Sequence, residues 1–365
     1  MRFRSLLLAT TALALSAGAA FADIRIAVVG PMTGPNASFG DQLKAGAAAA
    51  ADDINSHGGI GGEKIEIVVA DDACDPRQAV SVANKLIADG ITFVNGHFCS
   101  GATLPASEVY EESGVVSLTV STNPQITERG FKSIFRIGGR DDQQGPTASH
   151  YILKHFLGRK IAIIDDKSAF GAGLTAEVKS ALTAAGQPIV MEARINAGEK
   201  DYSALITRLK EAGTEVVYFG GYHAEAGLIM RQSADLGLKL TLFGGDPLSS
   251  SEFVAIAGAT AEGTLFTFGP DPRKNPEAGA AVDAMRKRGI EPQGWALYSY
   301  GIIQTFAQAL GKAGSTDPQA VAEALRQGSF ETVLGTVKFD AKGDNQAPGF
   351  VVYKWSGGQA DYARD

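Results

Sequence analysis

The sequence predicts an α/β protein of two Rossmann-like lobes, each built on a parallel sheet and joined to the other by a three-crossing hinge. Short apolar runs alternate with amphipathic segments along the chain, the pattern of parallel strands covered by helices on both faces. The strand–helix units fall into two groups, residues 23–140 and 141–269. Two lobes joined by several short strands enclose a cleft that can close on a ligand.

Each predicted strand is a short, mainly apolar run bounded by polar or turn-forming residues. The predicted strands are residues 24–29, 64–70, 91–94, 115–120, 161–164, 189–193, 216–219, 240–243 and 264–268. Each predicted helix carries apolar residues at helical spacing. The predicted helices are residues 39–55, 76–89, 102–112, 203–211, 225–235, 295–311 and 317–326. The second helix shows the usual start and stop signals, Pro76 at its beginning and Gly90 after its end.

Three segments are candidate crossings between the lobes: residues 138–140, residues 269–272 and the region near Leu334-Gly335. They predict a first lobe of residues 23–140 and 270–333, and a second lobe of residues 141–269 and 334–365. We expect residues 336–340 and 350–355 to form a β-hairpin in the second lobe, with Gly343-Asp344 near its turn.

Residues 1–22 have the features of a secretory signal peptide. Arg2 and Arg4 precede an apolar run over residues 6–15, and Ala20-Phe21-Ala22 fits the small-x-small cleavage rule. The run is too short to span a bilayer, although a membrane anchor is the alternative interpretation. We therefore expect an exported, periplasmic protein that is cleaved near Ala22.

The two cysteines, Cys74 and Cys99, are expected to pair in an oxidising compartment, with two buried free thiols as the alternative. Cys99 and its neighbour Ser100 lie where a predicted strand gives way to a predicted helix. Open α/β sheets bind ligands at such strand ends, and backbone N–H groups at a helix start favour an anion. This segment therefore predicts a binding site for a small carboxylate.

Charge and motifs exclude several function classes. Without Arg2 and Arg4 the formal charge is −9, from 31 basic and 40 acidic residues, which argues against nucleic acid or an anionic membrane as a partner. The histidines have no zinc-binding spacing, the glycine-rich residues 58–64 are not a phosphate-binding loop, and there is no nucleophile elbow. We expect no catalytic activity, no metal and no cofactor.

Five segments together resemble one family, the periplasmic leucine/isoleucine/valine-binding proteins of ABC transporters, which have the type I periplasmic binding fold. The resemblance covers essentially the whole exported chain. The matching segments are residues 27–35, 71–76, 96–100, 142–147 and 220–223. The resemblance implies a Cys74–Cys99 disulfide, an amino-acid ligand and an ABC permease in the inner membrane as the partner. We expect the protein to act as a monomer.

The resemblance also implies a set of ligand-binding residues. They are Phe39, Phe98, Cys99, Ser100, Val120, Ser121, Thr122, Phe170, Tyr222, Asp246 and Trp295. Ser100 and Thr122 resemble the pair that holds the ligand α-carboxylate through hydroxyl and backbone N–H groups. The Val120 carbonyl and Asp246, which stands where the family usually has glutamate, would hold the ammonium. Tyr222 resembles the tyrosine that covers the ligand.

The residue types suit a zwitterion on physical grounds. Burying either of its charges without a partner is costly; neutral hydroxyl and N–H donors can satisfy its carboxylate without a buried cation, and one opposing carboxylate can satisfy its ammonium. Local alternatives remain open: Ser100 and Thr122 as helix N-caps, Asp246 as a turn residue before Pro247, and Phe98 and Trp295 as ordinary core.

The departures from the family pattern bear on ligand size. Phe98 stands where leucine is common, Trp295 where a smaller aromatic is common, and Phe39 and Phe170 where tyrosine is common. Overpacking costs about 1 to 3 kcal/mol per site, so large aliphatic side chains are expected to fit poorly. Asp246 is also shorter than glutamate. We therefore expect a preference for small neutral amino acids: alanine, valine, proline and also γ-aminobutyrate. The alternatives are a leucine/isoleucine/valine receptor and a ligand sensor without transport.

Overall fold

The computed structural model describes residues 23–347 and 349–364, so the predicted signal peptide lies outside the described residues. The strands are β1 (Ile24–Gly30), β2 (Ile65–Asp71), β3 (Phe93–Gly96), β4 (Val116–Thr119), β5 (Ile134–Arg136), β6 (Ile161–Asp165), β7 (Ile189–Arg194), β8 (Val216–Gly220), β9 (Thr241–Gly244), β10 (Leu265–Phe268), β11 (Phe330–Thr332), β12 (Gly335–Val337), β13 (Val351–Ser356) and β14 (Gln359–Tyr362).

Helices separate most of these strands. They are α1 (Ala37–Ser56), α2 (Pro76–Ala88), α3 (Ser100–Ser113), α4 (Gln125–Glu128), α5 (Asp141–His155), α6 (Ala169–Ala184), α7 (Ser203–Glu211), α8 (His223–Asp235), α9 (Ser251–Ala257), α10 (Gly279–Lys287), α11 (Ala296–Ala313) and α12 (Pro318–Gln327). Outside the expected C-terminal hairpin, every predicted strand and helix corresponds to one of these elements, with bounds within two residues. The elements that were not predicted are β5, β11, β14, α4, α5, α6, α9 and α10. Within the described ranges, no helix is long and apolar enough to cross a membrane.

Two separate sheets form the centres of two lobes. The first sheet has the strand order β2-β1-β3-β4-β5, and its strands are parallel. The second has the order β14-β13-β10-β9-β8-β6-β7, and β13 is antiparallel to both its neighbours. The predicted α/β class with parallel sheets is confirmed.

The late helices return to the first sheet. Helix α11 packs along α1, while α12 packs on α11 and approaches β4. Helix α10 also contacts α1. Helices α5 and α6 pack on each other beside the second sheet, where α5 contacts β10 and β13. We refer to the first sheet with its helices as the first lobe, and to the second sheet with its helices as the second lobe.

The end of the chain differs from the prediction. Strand β12 pairs with β11, and β13 pairs with β10 and β14, so the expected hairpin of residues 336–340 and 350–355 is wrong. Residues between these segments bond to the first sheet instead: the Arg136 N–H donates to the Gly343 carbonyl at 2.8 Å, and Asn345 Nδ2 donates to the Ile137 carbonyl at 3.0 Å. Residues 335–345 thus lie beside the first lobe, whereas the sequence assigned them to the second.

A buried ion pair accounts for this difference. Asp344 accepts hydrogen bonds from Arg136 Nε at 2.8 Å and from Arg140 Nη1 at 2.7 Å. Arg136 is fully buried, and a buried guanidinium needs a paired carboxylate. Burial alone would raise the pKa of Asp344, but the charge of Arg136 and hydrogen bonds from both arginines hold that pKa below its usual value. The pair therefore fixes the last crossing against the first.

We expect Asp344→Ala to lower the free energy of unfolding by about 3 to 5 kcal/mol, because it leaves buried Arg136 without its counter-charge. Asp361→Ala is the matched control. It removes an exposed partner of Lys274, and loss of a surface pair costs at most about 1 kcal/mol. Urea unfolding measures both variants. Equal losses in the two would contradict the role given to the buried pair.

Candidate functional site

Nine of the eleven predicted site residues surround one closed cavity between the lobes, with an empty volume of about 220 Å³. They are Phe98, Ser100, Val120, Ser121, Thr122, Phe170, Tyr222, Asp246 and Trp295, and Pro247 completes the lining. Only about 10 Å³ of this space admits the centre of a water molecule, whereas pockets for drug-sized ligands run to about 300–1,000 Å³. The cavity is therefore suited only to a small molecule.

The cleft around this cavity is closed. Asn123 Nδ2, at the end of the first sheet, donates to the carbonyl of Ala169, the first residue of α6, at 2.9 Å. The Phe39 ring in α1 meets the His223 ring in α8 edge-on, with centroids 5.1 Å apart. These contacts join opposite lobes, so both walls of the cavity are held against each other.

The loop before α3 presents Ser100 on a restrained backbone. Gly96 has a φ of +139°, and a Cβ there would lie 2.1 Å from the Val29 carbonyl oxygen, so only glycine lets the loop pass this close to β1. The Cys74–Cys99 disulfide ties the loop to the segment after β2, with Cα atoms 5.4 Å apart. The disulfide implied by the resemblance is confirmed.

A buried histidine ties the same two segments together a second time. His97 Nδ1 lies 2.6 Å from Asp72 Oδ2, and His97 Nε2 lies 2.9 Å from the Tyr110 hydroxyl. The other oxygen of Asp72 accepts from the Cys74 N–H at 2.8 Å. All these side chains except that of Cys74 are buried. His97 is therefore a structural residue that holds the Ser100 loop against the segment after β2.

The second strand end of the first lobe carries Thr122. Ser121 Oγ donates to the Phe98 carbonyl at 2.7 Å, which joins the two site loops. Arg136 Nη1 donates to the Ser121 and Asn123 carbonyls, both at 2.9 Å. Thr122 thus lies in a segment held on both sides, although its own hydroxyl makes none of these bonds.

Neither hydroxyl residue is a helix cap. Cys99 is the N-cap of α3, and Ser100 is its first helical residue. Ser100 Oγ accepts only a long bond, 3.4 Å, from the Asn123 N–H. Pro124, and not Thr122, is the N-cap of the short helix α4. The backbone around Ser100 and Thr122 places two hydroxyls at one wall of the cavity, next to the start of a helix whose dipole favours an anion.

The opposite wall carries a buried carboxyl. Asp246 begins the 3₁₀ turn Asp246–Ser249 after β9 and is 4% exposed. Gln144 Nε2 donates to Asp246 Oδ1 at 3.1 Å. Burial raises the pKa of Asp246 to about 7, against the smaller opposing effect of the Gln144 bond. None of the residues that line the cavity is basic, so this carboxyl has room for a cationic partner from outside the protein.

A second buried carboxyl lies close to the first. Asp141, at the start of α5, is fully buried, and the Thr122 hydroxyl and the charge of Arg136 offset only part of the effect of that burial on its pKa. Burial, followed by the charge of Asp246, raises the pKa of Asp141 well above its usual value. The site therefore has more acid than it can neutralise by itself. The part of the chain that the structure describes holds no cluster of three or more metal-ligating side chains.

Aromatic rings close the rest of the cavity. Trp295 meets Phe98 edge-on at 5.8 Å between centroids, and Phe170 lies 5.6 Å from Tyr222. All four side chains are buried. Such rings exclude water and supply apolar contact area. The predicted residues therefore form a mixed site, polar at two facing walls and aromatic between them.

Two predicted residues lie outside the cavity wall. Phe39 stacks on the outer face of Phe98, with ring centroids 4.4 Å apart and planes at 15°, so it supports the wall without lining it. The sulfur of Cys99 is used in the disulfide. Both residues were predicted on the resemblance, which does not separate the cavity surface from the layer behind it.

Sequence reasoning missed four residues that shape the site: Pro247, Gln144, Asn123 and Asp141. Pro247 lines the cavity, Gln144 orients Asp246, and Asn123 bridges the lobes. Gln144 lies in a segment that carried the resemblance, and Asn123 follows Thr122 directly. The sequence therefore indicated the segments in which they lie but did not predict their contacts. Asp141 gave no local signal, because its proximity to Asp246 arises only from the fold.

A family model described as periplasmic binding protein matches residues 23–359. The Leu/Ile/Val-binding protein homolog 1 of Brucella suis is 52% identical over 343 residues, covering 93% of this chain and 92% of the relative. An amino acid binding protein of Pseudomonas aeruginosa is 47% identical over 340 residues, covering 92% and 91%. These relatives are binding proteins and not enzymes, as the sequence predicts.

The fold also matches a solved structure. The branched-chain amino acid transporter substrate binding protein LivJ of Streptococcus pneumoniae, in complex with isoleucine, superposes with a TM-score of 0.84 at 27% identity. The match covers 93% of this chain and 98% of that one. The two-lobed architecture described above is thus shared with a protein that holds an amino acid.

Asp246→Asn should stabilise the ligand-free protein, and more so at higher pH. A raised pKa means that the folded state keeps a proton that the unfolded chain releases above about pH 4. The stability of the native sequence therefore falls as pH rises from about 4 to about 7, by at most about 1.4 kcal/mol per pH unit for one proton. Asparagine does not titrate, so Asp246→Asn does not lose this stability as the pH rises.

Urea unfolding at pH 5 and pH 8 measures the effect, with exposed Asp235→Asn as the control for the same chemical change. We expect the stability advantage of Asp246→Asn to be larger at pH 8 than at pH 5, and Asp235→Asn to show little difference. An advantage that does not grow with pH would show that Asp246 carries no burial penalty.

Proposed function

Because the chain belongs to the periplasmic binding protein family, we propose that it captures a small neutral amino acid between its lobes and delivers it to an ABC permease of the inner membrane. The proposed protein is a monomer, exported with cleavage near Ala22. One observation carries the proposal. The closed cavity has hydroxyl groups on the first lobe and a buried carboxyl on the second, the arrangement that a zwitterion requires.

Asp246 is the proposed partner of the ligand ammonium. Its carboxyl is buried, and the cavity lining supplies no basic group. An ammonium from the ligand would favour the ionised carboxylate that burial disfavours. The carbonyl of Val120, also in the lining, offers the ammonium a second acceptor from the first lobe. Bonds to both lobes at once would make ligand binding favour the closed form.

Ser100 and Thr122 are the proposed partners of the ligand carboxylate. Both residues line the cavity, and the disulfide, Ser121 and Arg136 hold their loops in place. Neutral donors satisfy the carboxylate without a buried lysine or arginine, so the ligand ammonium is left to pair with Asp246. The four groups then hold both charged ends of one small molecule.

The aromatic residues support the preference for a small ligand. Phe98 cannot move outward without displacing Phe39, which is fully buried. Trp295 and Phe98 together reduce the space available to the ligand side chain, and the empty volume is about 220 Å³. This geometry favours alanine, valine and proline. The short Asp246 side chain leaves space for an amine farther from the carboxylate, as in γ-aminobutyrate.

A leucine/isoleucine/valine receptor is the second candidate. It is supported by the Brucella suis relative, whose name refers to these three amino acids, and by the isoleucine in the Streptococcus pneumoniae complex. The two candidates differ in the space beyond the ligand Cβ atom, which Phe98 and Trp295 limit. In both candidate functions, Asp246, Ser100 and Thr122 have the same roles.

Titration calorimetry with alanine, valine, proline, γ-aminobutyrate and leucine separates the two candidates. We expect leucine to bind more weakly than the best of the four smaller ligands, because overpacking costs about 1 to 3 kcal/mol per site. Phe98→Ala should then improve leucine binding. Leucine binding at least tenfold tighter than all four would contradict the small-ligand preference, and no gain in Phe98→Ala would contradict its steric cause.

Ser100→Ala should weaken the binding of the best ligand by about 1 to 3 kcal/mol, because it removes a hydrogen bond to a charged group. Ser113→Ala is the control, since this exposed serine ends the same helix and should leave the dissociation constant unchanged. Calorimetry at constant pH measures both. If Ser100→Ala binds as tightly as the native sequence, Ser100 does not contact the ligand.

A further inference from the structure

We propose that Trp295 is a partition between the amino-acid cavity and a second, larger compartment that would accept a long apolar ligand side chain. This inference rests on the proposed function and deepens it, because it names the residue that limits ligand length. The second compartment has an empty volume of about 1,030 Å³, its open mouth included. The closed cavity beside it has about 220 Å³.

Two segments of the chain border both spaces, and one ring contact joins their linings. In the turn Asp246–Ser249, Asp246 and Pro247 line the cavity while Ser249 lines the compartment. Gly294 lines the compartment, and the next residue, Trp295, lines the cavity. The Trp295 ring meets Phe268, which lines the compartment, at 4.8 Å between centroids and 78° between planes. One pair of rings therefore separates the two spaces.

The wall at Phe98 is of a different kind. Phe98 stacks on Phe39, and Phe39 is fully buried against His223 of the other lobe. Removing the Phe98 ring would leave a hole about one ring deep that ends in packed side chains. Removing the Trp295 ring would open the cavity toward Phe268 and the space beyond it. Phe98 thus limits width, whereas Trp295 limits length.

The compartment has a mixed lining of polar side chains and aromatic rings, and the aromatic part would take an apolar group. Phe266 and Tyr353 stack at 5.2 Å with planes at 7° on its floor, next to Trp355. The charged groups at its rim pair with one another: Arg273 lies 2.9 Å from Asp271 and 3.4 Å from Glu291. Because these charges are already satisfied, the rim offers no unpaired ion for a charged tail. The expected occupant is an aromatic or long alkyl side chain of an amino acid.

The Trp295 side chain can be removed without breaking a hydrogen bond of the protein. Its Nε1 is buried and has no partner among the described residues. Its backbone N–H donates to Gln42 Oε1 at 2.8 Å, a bond that other residues at this position keep. The ring contacts with Phe98, Tyr298 and Phe268 are the main losses. Trp295→Leu retains part of this apolar contact and serves as a second variant.

The test compares three ligands: alanine, leucine and 4-phenylphenylalanine, whose second ring is too long for the hole left by one side chain. Calorimetry is carried out on the native sequence, Trp295→Ala, Trp295→Leu and Phe98→Ala, after thermal melting confirms that each is folded. We expect both Trp295 variants to bind 4-phenylphenylalanine at least tenfold more tightly than the native sequence. Phe98→Ala should gain leucine but not the longer ligand.

Two failures are distinguishable. If the folded Trp295 variants gain no more for 4-phenylphenylalanine than Phe98→Ala does, while the native sequence binds a small amino acid, the partition is overturned and the proposed function stands. If the native sequence binds no amino acid in the wider panel described above, the proposed function is overturned, and with it the inference built on it.

Discussion

The burial of acid in a closed cleft is the constraint on which the rest of the site depends. Asp246 and Asp141 lie close enough for the charge of one to raise the pKa of the other, and both are buried. The nearby guanidinium groups of Arg136 and Arg140 both bond to Asp344, and the charge of Arg136 offsets only part of the rise in the pKa of Asp141. Because an unpaired buried charge is costly, the closed form is most stable when a cation enters with the ligand. Closure and recognition of an amine are then one event.

Arg136, whose guanidinium pairs with Asp344 outside the cavity, also positions the cavity wall opposite Asp246. Arg136 holds the carbonyls on either side of Thr122 and pairs with Asp344 of the last crossing. The disulfide and the His97–Asp72 contact restrain the Ser100 loop in a comparable way. The first lobe thus presents two hydroxyls on rigid backbone, while the second lobe brings the carboxyl and the covering Tyr222. This division of the binding groups between the lobes suits a site that is assembled when the cleft closes and taken apart when it opens.

The sequence predicted most of the fold because the central strands of both sheets are buried on both faces and several helices carry clear start and stop residues. It missed β5, which has only three residues, and α5, which contains Pro146. It misassigned residues 335–345 because the attraction of Asp344 to Arg136 joins positions 208 apart in the chain, and no local pattern records such a contact. In the site, the resemblance identified most cavity residues. It did not separate Phe39 from the wall that it supports, nor reveal the buried Asp141 beside Asp246, since both depend on packing.

The central claim is that the cavity recognises both charges of a zwitterion, and binding of one-ended analogues tests it most directly. Calorimetry at pH 8 compares alanine with propionate, which lacks the amine, and with ethylamine, which lacks the carboxylate. The account predicts that alanine binds and that each analogue binds at least a hundredfold more weakly, because propionate leaves Asp246 without its cation and ethylamine leaves the first-lobe donors without their anion. Propionate binding as tightly as alanine would contradict the account, since the buried carboxyl would then play no part in recognition.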